Sequence, residues 1–391
     1  MTVISLRLCI VQPAIGNISE TFLQAQADIL PCETVVVHGK TPQIEGQKVL
    51  SESFPARAGR KLWRTLCGLP WQWDRQHAYA TAFRHHRADV VLAQYGPTGT
   101  RVVDACRQTG IPLVVQFHGY DASVHEVIER EREGYHKIFR HAAAVVAVSR
   151  HMRDRLAGLG ANPDTLYWNP YGVNVELFRG AAPAGNPPVF LAVGRLVPKK
   201  APLRTIEAFA NGTTDCPEAQ LRIIGDGPLM DESRELASRL GVADRVVFLG
   251  AQPHDVVQQE MQRARAFVQH SVTADDGNCE GTPNSVLEAS ASGLPVIATR
   301  HAGIPDVIVE EETGLLVDEK DVDGMAEHMR RICEQPALAG ELGQSGRQRI
   351  RDHFTMEAGI DRLWQILNGA ATGQLPRPEA IAPEPIEPTP A

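Results

Sequence analysis

Short apolar runs without polar alternation recur along the whole chain, and amphipathic stretches of helical length separate them. Each run is four to six residues long and rich in β-branched side chains, which is typical of strands buried on both faces of a parallel sheet. The runs cover residues 6–11, 34–38, 90–94, 113–117, 143–148, 189–193, 221–224, 246–249, 266–269 and 295–298. Helices are predicted between them, for example over 76–88, 202–211, 229–240 and 283–292. Strand and helix thus alternate twice over, which predicts two doubly wound α/β domains.

Length and composition agree with this organisation. The chain has 391 residues, enough for two domains of about 100–200 residues each, and it is 43% hydrophobic and 22% charged, as globular proteins are. No apolar run approaches the ~18–20 residues that cross a bilayer, and the N-terminus lacks a signal-peptide pattern. The seven cysteines include no Cys-x-x-Cys pair. We therefore expect reduced thiols in a cytoplasmic protein, with neither a zinc site nor disulfides.

Charge is distributed unevenly between the two halves of the chain. The net charge is −8, yet residues 1–180 hold 20 Lys and Arg against 16 Asp and Glu, whereas residues 181–391 hold 19 against 31. This asymmetry indicates different partners for the two halves, and without a dominant basic stripe we expect no nucleic-acid ligand. A Gly-, Ala- and Pro-rich segment at 180–188 predicts the boundary between an N-terminal domain over 1–180 and a C-terminal domain over 181–352.

The end of the chain has a different composition from the rest. Residues 371–391 are rich in proline and poor in large apolar side chains. Such a segment cannot bury enough apolar surface to offset its conformational entropy. We therefore expect a disordered tail over these residues.

The segment 193–202 leaves a predicted strand, turns and enters a predicted helix. Pro202 suits the first turn of that helix, so Arg195 and Lys200 flank a helix N-terminus. Free N–H groups and the positive end of the helix dipole attract phosphate there, and Arg and Lys side chains strengthen such a site. The segment therefore predicts a phosphate site, with a solvent-exposed basic turn as the alternative.

A second segment, 276–290, places two carboxylates around the start of a helix. Thr282 is predicted to be the N-cap and Pro283 the first helical residue. Glu280 then lies in the preceding loop, and Glu288 lies about a turn and a half into the helix. Carboxylates accept strong hydrogen bonds from hydroxyls, so the pair suits a polyhydroxylated ligand, with two ordinary surface glutamates as the alternative. No Gly-x-Gly-x-x-Gly follows the first strand, which disfavours a dinucleotide.

Together, these two segments resemble the retaining GT-B glycosyltransferases of family 4. The resemblance is carried by EGTPNSVLEASASGLPVIATRHAGIPDVI (280–308) and VGRLVPKKA (193–201), and YGVNVELF (171–178), IIGDGP (223–228) and VVFLG (246–250) fit the same pattern. In the N-terminal half, SETF (19–22) and QFHGYDAS (116–123) resemble the branch that builds exopolysaccharides and colanic-acid-like polymers. The resemblance implies a GT-B fold, with two Rossmann-like domains facing across a cleft and a helix over 353–370 that crosses back to the first domain.

The resemblance also implies which residues bind the donor, a nucleotide-sugar. Arg195 and Lys200 would hold its diphosphate, and Glu288 would hold its ribose hydroxyls. Its sugar would be bound by Glu280 and by the backbone of Gly281, Thr282 and Pro283.

Two further residues would come from the N-terminal half. His118 would lie near the sugar across the cleft, and Gly16 would approach the diphosphate from the loop after the first strand. That loop, 13–17, departs from the paired glycines common in relatives. For His118, the alternative is a core histidine that satisfies an internal hydrogen bond.

The implied chemistry assigns roles to four residues. Relatives use cationic side chains where other glycosyltransferases use a divalent ion, so the resemblance implies neither a metal nor a cofactor. Arg195 and Lys200 would stabilise the charge that develops on the leaving diphosphate. Retention would come from front-face attack with the leaving phosphate as base, and a covalent role for Glu280 is the less favoured alternative. The expected catalytic residues are therefore Arg195, Lys200, Glu280 and His118.

Residues 57–87 combine basic and tryptophan side chains, and Asp74 is the only acid among them. The side chains concerned are Arg57, Arg60, Lys61, Trp63, Arg64, Trp71, Trp73, Arg75, Arg84 and Arg87. Basic residues with tryptophans suit an anionic membrane surface. The segment therefore predicts peripheral membrane contact, and a solvated, partly core-packed helix pair is the alternative.

These observations lead to one expected function and two rivals. We expect a retaining, metal-independent glycosyltransferase that moves a hexosyl unit from a UDP- or GDP-sugar to a glycan or polyprenyl-diphosphate-linked acceptor. It would serve exopolysaccharide or cell-envelope polysaccharide synthesis at the inner face of the plasma membrane. The rivals are a soluble glycosyltransferase with a small-molecule acceptor and a non-catalytic nucleotide-sugar-binding protein on the same fold.

Overall fold

The computed structural model describes residues 6–13, 21–39, 42–44, 46–49, 54–68 and 73–383. Gly16 and Trp71, which the sequence singled out, lie outside the described residues. The described chain divides into two compact units. Unit 1 contains the residues up to Val148 together with Met152–Asn169 and Ile360–Ala382, and unit 2 contains Ser149–His151 and Pro170–Gly359.

Among the described residues, unit 1 contains an eight-stranded sheet. Its strands are β1 (Arg7–Gln12), β2 (Glu33–His38), β3 (Gln43–Ile44), β4 (Gln47–Lys48), β5 (Val90–Gln94), β6 (Leu113–Phe117), β7 (Ala144–Ala147) and β8 (Leu166–Trp168). The helices between them are α1 (Thr21–Ile29), α2 (Phe54–Leu66), α3 (Trp73–His85), α4 (Gly96–Thr109), α5 (Tyr120–Ser123), α6 (His125–His141) and α7 (Arg150–Gly158).

The sheet of unit 1 has the order β4-β3-β2-β1-β5-β6-β7-β8. The strands β1, β2 and β5 to β8 pair in parallel, whereas the short β3 and β4 pair antiparallel at one edge. Every residue of β5 and β6 is buried, as expected when helices cover both faces of a parallel sheet. Each apolar run is thus a central strand, and the polar loops that follow collect at the carboxyl edge of the sheet.

Unit 2 contains a six-stranded parallel sheet among its described residues. Its strands are β9 (Val189–Val193), β10 (Gln220–Ile224), β11 (Val246–Gly250), β12 (Ala266–Gln269), β13 (Val296–Thr299) and β14 (Gly314–Val317), in the order β11-β10-β9-β12-β13-β14. Its helices are α8 (Pro202–Gly212), α9 (Met230–Arg239), α10 (His254–Arg263), α11 (Asn284–Ser292), α12 (Ile304–Val307), α13 (Val322–Glu334) and α14 (Pro336–His353). The order reverses direction at β9 and β12, and ligands of such sheets bind at this switch point.

The boundary between the units lies after Asn169 and not at residue 180, where the composition placed it. The N–H of Val173 donates to the carbonyl of Phe354 at 3.0 Å, and the N–H of Met356 donates to the carbonyl of Val173 at 3.0 Å. These backbone bonds tie the segment after Asn169 to the end of unit 2. Composition marks a flexible linker, but backbone pairing decides which unit a segment joins.

Two helices complete the described chain, α15 (Met356–Thr372) and α16 (Pro378–Ile381). From Ile360 onward, α15 belongs to unit 1. The tail expected to be disordered from residue 371 is ordered as far as 383, because α16 packs on β8 and the Tyr167 hydroxyl donates to the Pro376 carbonyl at 2.7 Å. Residues 384–391 lie outside the described residues.

The expected fold class is confirmed, since each unit is an α/β structure around a mainly parallel sheet. All the apolar runs lie on strands, whereas β3, β4, β8 and β14 were not predicted. Two of these strands have two residues and one has three, which is too short for a hydrophobic pattern. No helix of the described chain has the length and apolar character needed to cross a bilayer.

Candidate functional site

The first part of the candidate site is the turn that follows β9. Gly194 leaves the strand with a φ of +153°, and the 3-10 helix Pro198–Lys200 then ends at Ala201 in a left-handed conformation. A Cβ on Gly194 would lie 3.2 Å from Cε of Lys200, so the glycine leaves room for the lysine. A Cβ on Gly225 would lie only 1.9 Å from the Gly194 carbonyl oxygen, so the turn after β10 packs backbone to backbone against this one.

Lys200 is the centre of a buried ion-pair cluster in the loops that follow β9 and β12. Its Nζ lies 3.1 Å from Oε1 of Glu280 and donates to Oε1 of Gln269 at 3.2 Å. Nζ of Lys199 lies 3.6 Å from the second oxygen of the Glu280 carboxylate and donates to the Cys279 carbonyl at 3.2 Å. Only 9% of the Glu280 side chain is exposed. The carboxylate therefore lies between two ammonium groups, largely out of water.

These neighbours determine the protonation of the cluster. Burial alone would raise the pKa of Glu280, but Lys200 and Lys199 outweigh burial and hold this pKa at about 2. Burial lowers the pKa of Lys200, and Glu280 opposes that shift. Glu280 is thus a carboxylate at neutral pH, and its charge is balanced by cations that a phosphate could also bind.

Glu288 lies on α11 and is partly buried. Burial raises its pKa to about 7, and Lys200 acts in the opposite direction. The two glutamates singled out by the sequence therefore differ in charge: Glu280 is ionised throughout the neutral range, whereas Glu288 titrates within it.

The start of α11 differs from the expectation. The helix begins at Asn284 with Pro283 at the N-cap position and without a side-chain cap, so the prediction of Thr282 as N-cap is wrong. Pro283 has a ψ of 120°, which is an extended conformation, and the helix consequently starts one residue later. Thr282 is 3% exposed and lies in the loop with Gly281. The N–H of Gly303 donates to the Gly281 carbonyl at 3.0 Å, which fixes this loop against the one that follows β13.

The structure brings the four predicted side chains of unit 2 into one region. Arg195 and Lys200 line the same pocket, together with Gly194, Thr205 and Gln269. The contact of Lys200 with Glu280 and its influence on the pKa of Glu288 connect both glutamates to this pocket. The sequence reasoning missed Lys199 and Gln269. A signal existed for Gln269, which is a polar residue at the end of an otherwise apolar strand.

In unit 1, His118 follows β6 and is 8% exposed. Its Nε2 lies 2.8 Å from Oε1 of Gln94. Gln94 donates to Oε1 of Gln26 at 2.6 Å, and Gln26 donates to Oε1 of Gln116 at 3.1 Å. Burial lowers the pKa of His118 to about 3. His118 is therefore neutral at physiological pH and is hydrogen-bonded to a chain of buried amides, which is the hydrogen bonding that the core-histidine alternative expects.

Asp121 fixes the backbone around His118. Its Oδ1 accepts hydrogen bonds from the N–H groups of His118 and Gly119 at 3.0 and 2.9 Å, and its Oδ2 accepts one from Gly96 at 2.9 Å. The Tyr135 hydroxyl donates to the Asp121 carbonyl at 2.6 Å. Burial raises the pKa of Asp121, against the effect of the N–H donors. No role was predicted for Asp121, although it lies in the segment 116–123 that carried part of the resemblance.

The helix α2 exposes large apolar side chains. Leu62, Trp63 and Leu66 are 62%, 58% and 73% exposed. At 3.6 residues per turn they lie within an arc of about 100°. A separate arc of the same helix carries the basic side chains of Arg60, Lys61 and Arg64. This part of 57–87 is thus an amphipathic helix with an apolar strip facing solvent.

The fold agrees with that of a solved protein structure. The crystal structure of Anabaena Alr3699/HepE in complex with UDP matches with a TM-score of 0.75 and 18% identity, over 93% of this chain and 100% of that one. At this identity the match concerns the fold alone. Together with the two parallel-sheet units, it defines the GT-B fold.

The family follows from the sequence matches. Residues 175–349 match the family of glycosyl transferases group 1, and residues 30–172 match the glycosyl transferase 4-like domain. The chain is 30% identical over 293 residues to the GDP-mannose-dependent alpha-(1-6)-phosphatidylinositol monomannoside mannosyltransferase of Mycolicibacterium smegmatis, over 72% of this chain and 75% of that protein. The chain therefore belongs to the glycosyl transferases group 1 family, and the resemblance found in the sequence is confirmed.

The resemblance to the exopolysaccharide branch also has a match among relatives. A Salmonella typhimurium protein assigned to colanic acid biosynthesis as a glycosyltransferase is 30% identical over 280 residues, which is 70% of this chain. The match spans 65% of that relative, which is just under two thirds of its length.

Proposed function

We propose that the protein is a retaining, metal-independent hexosyltransferase that uses a UDP- or GDP-sugar and extends a glycan or lipid-linked glycan in exopolysaccharide or cell-envelope polysaccharide synthesis. The observation that carries the proposal is the buried cluster of Glu280 with Lys199 and Lys200. It offers one carboxylate to sugar hydroxyls and the Lys200 ammonium group to a diphosphate, while Lys199 balances the carboxylate. Similar proteins support either nucleotide in the donor, since one relative is named as dependent on GDP-mannose and one protein of similar fold was solved with UDP.

The proposed chemistry uses these charges in the bond-breaking step. The bond between the anomeric carbon and the diphosphate oxygen breaks, negative charge develops on the leaving diphosphate, and an acceptor hydroxyl forms the new bond on the same face. Lys200 and Arg195 would stabilise that charge, each by about 2.7–4 kcal/mol if comparable to one oxyanion-hole donor. Lys199 would remain with Glu280, whose carboxylate accepts hydrogen bonds from the sugar. The leaving phosphate would take the acceptor proton.

The test is release of nucleoside diphosphate from a panel of UDP- and GDP-sugars, with and without EDTA. We expect slow release from one donor, unaffected by EDTA and lowered about 10²–10³-fold by Lys200→Ala. Inhibition by EDTA that added Mg²⁺ reverses would contradict metal independence. Anomeric configuration of the product, read by NMR from proton coupling constants, tests retention.

Binding without turnover would favour a different function. If the protein binds a nucleotide-sugar with a measurable Kd but releases no diphosphate with any glycan or lipid-linked acceptor, the non-catalytic binding protein becomes the better explanation. Turnover with water-soluble sugar acceptors alone would favour the soluble transferase.

We also propose that α2 docks on an anionic membrane surface, where a lipid-linked acceptor resides. The support is the exposed strip of Leu62, Trp63 and Leu66 beside a basic arc, since apolar burial and attraction to anionic lipid act together in such helices. Burying one such side chain contributes about 1.5–3 kcal/mol. An exposed strip of this kind favours a lipid-linked acceptor over a small soluble one.

Flotation with vesicles tests the docking. The protein should float with phosphatidylglycerol-containing vesicles, less with pure phosphatidylcholine, and not after Trp63→Gln with Leu66→Gln. Leu177→Gln is the matched control, because Leu177 is 54% exposed and belongs to unit 2. Equal flotation of the wild type and the α2 variant would refute docking through this helix.

A further inference from the structure

A buried histidine that follows β13 is hydrogen-bonded to the loop that contains Glu280. His301 is 1% exposed, and its Nε2 accepts a hydrogen bond from the backbone N–H of Glu280 at 3.0 Å. Its Nδ1 lies 2.5 Å from Oε1 of Glu319, which follows β14.

The direction of these hydrogen bonds is fixed by chemistry. A backbone N–H can only donate, so Nε2 of His301 is the acceptor and the ring proton lies on Nδ1, where it is donated to the Glu319 carboxylate. Glu319 is itself oriented by Thr273, whose N–H donates to Oε2 at 2.9 Å and whose hydroxyl donates to Oε1 at 3.2 Å. The hydrogen bonds of His301 and Thr273 lower the pKa of Glu319 against the effect of burial.

The hydrogen bonds of Glu319 and His301 hold the backbone of Glu280, whereas the lysines pair with its side chain. The loop is held at a second point, since the N–H of Gly303 donates to the Gly281 carbonyl two residues after His301. A Cβ on Gly303 would lie 2.3 Å from that oxygen, so the two loops are in direct contact. The orientation of the Glu280 carboxylate therefore depends on a neutral acceptor at Nε2 and an anion behind Nδ1.

We propose that His301 and Glu319 are positioning residues for the donor sugar: they hold the Glu280 backbone so that its carboxylate and the neighbouring N–H groups face the sugar. The inference rests on the proposed function, because the sugar is the ligand of that loop. It assigns the pair to the sugar and not to the nucleotide. Arg195, Lys200 and Glu288, which would bind the nucleoside diphosphate, make none of these hydrogen bonds in the described chain.

The test compares the donor with its bare nucleotide. His301→Phe keeps the ring without the acceptor, Glu319→Ala removes the anion, and Glu319→Gln keeps an acceptor for Nδ1–H. The matched control is Asp318→Asn, one residue before Glu319, because Asp318 is 83% exposed and pairs with Arg300. We expect His301→Phe and Glu319→Ala to lower kcat/KM for the nucleotide-sugar about tenfold or more, from the loss of a buried hydrogen bond, with the Kd of the nucleoside diphosphate unchanged. Glu319→Gln should recover most of the loss, and Asp318→Asn should match the wild type.

Hydrogen exchange provides a readout that does not need turnover. The amide of Glu280, followed in peptides spanning 279–283, should exchange about tenfold or more faster in His301→Phe and Glu319→Ala than in Asp318→Asn. Unchanged exchange and unchanged kinetics would overturn the inference, and so would an equal loss of nucleoside diphosphate binding, which would indicate general destabilisation. A wild-type protein without turnover would contradict the proposed function, while the exchange data would still decide whether the pair holds the loop.

Discussion

The ion-pair cluster of unit 2 and the His118 loop of unit 1 are both buried polar regions, but they are built from different groups. In unit 2, the Glu280 carboxylate lies within 3.6 Å of two ammonium groups. In unit 1, His118 hydrogen-bonds the neutral amide of Gln94. The pKa is about 2 for Glu280 and about 3 for His118, so the first is charged and the second neutral near pH 7.

The difference shows how neighbours decide the effect of burial. Burial disfavours the charged form in both regions, and at His118 it lowers the pKa to about 3. At Glu280 two cations outweigh it. An ammonium group can exchange one anion for another, so the charged cluster suits a phosphate ligand. A neutral imidazole held by amides can hydrogen-bond a hydroxyl without attracting phosphate.

The largest effect is expected from Lys200→Ala. Because Lys200 contacts both Glu280 and Gln269, its loss should lower kcat/KM for diphosphate release about 10²–10³-fold. Lys199→Ala is the matched comparison and should cost less, since its Nζ is 3.6 Å from the carboxylate. Steady-state kinetics of both variants with the same donor measure the ratio. Equal losses would show that the two lysines share one role.

The corresponding change in unit 1 is Asp121→Ala, which should act on stability. It leaves the N–H groups of His118, Gly119 and Gly96 without their acceptor, so the free energy of unfolding should fall by about 2–3 kcal/mol in urea titrations. Asp121→Asn keeps one acceptor oxygen and should lie in between. Asp154→Ala is the control, since Asp154 is 69% exposed, and should stay within about 0.5 kcal/mol of the wild type. A smaller loss in Asp121→Ala than in the control would contradict the assignment.

A third and smaller effect concerns pH, since Glu288 is neither fully ionised, as Glu280 is, nor fully neutral, as His118 is, near pH 7. Its pKa of about 7 means that the carboxylate form, which would accept ribose hydroxyls, increases about tenfold between pH 6 and 8. The affinity for nucleoside diphosphate should therefore rise about tenfold over this range, beyond any change in Glu288→Gln. Isothermal titration calorimetry of both proteins measures it. Parallel pH profiles would exclude Glu288 from nucleotide binding.

The same titration affects folding with a defined sign. The folded-state pKa of Glu288 is raised from 4.5 to about 7, so its neutral form favours the folded state below pH 4.5, and this advantage is lost as pH rises through 7. For Glu280 the pKa is lowered, so its contribution is present above pH 4.5 and is lost as pH falls towards 2.

The fold could be predicted from the sequence because buried parallel strands leave a local pattern. The runs at 90–94, 113–117, 189–193 and 266–269 coincide with strands residue for residue. The strand β8 has three residues and gave no such pattern, and the ordered segment after residue 371 depends on contacts with β8 that lie far away in the chain. Local patterns therefore predict elements but not the partners that order a tail.

Part of the candidate site was predicted from the sequence. Lys200 and Glu280 come from two recognisable segments, and the structure joins them. His301 and Glu319 were not predicted, because their link depends on the adjacency of β13 and β14 and not on a spacing. Gln94 is similar, since its partner Gln26 is distant in the chain.

The close approach of Gly225 to Gly194 limits how this protein can vary. A β-carbon at residue 225 would lie 1.9 Å from a backbone oxygen, and one at Gly227 would lie 2.4 Å from the Leu196 carbonyl. In a saturation-mutagenesis library we expect both positions to reject every substitution, whereas Gly241, with no atom within 4 Å of a Cβ and a φ of +69°, should accept Asn or Asp. Intolerance at 225 and 227 would thus report backbone packing against the turn that follows β9, and a mutational map of this family should not assign such glycines to substrate contact.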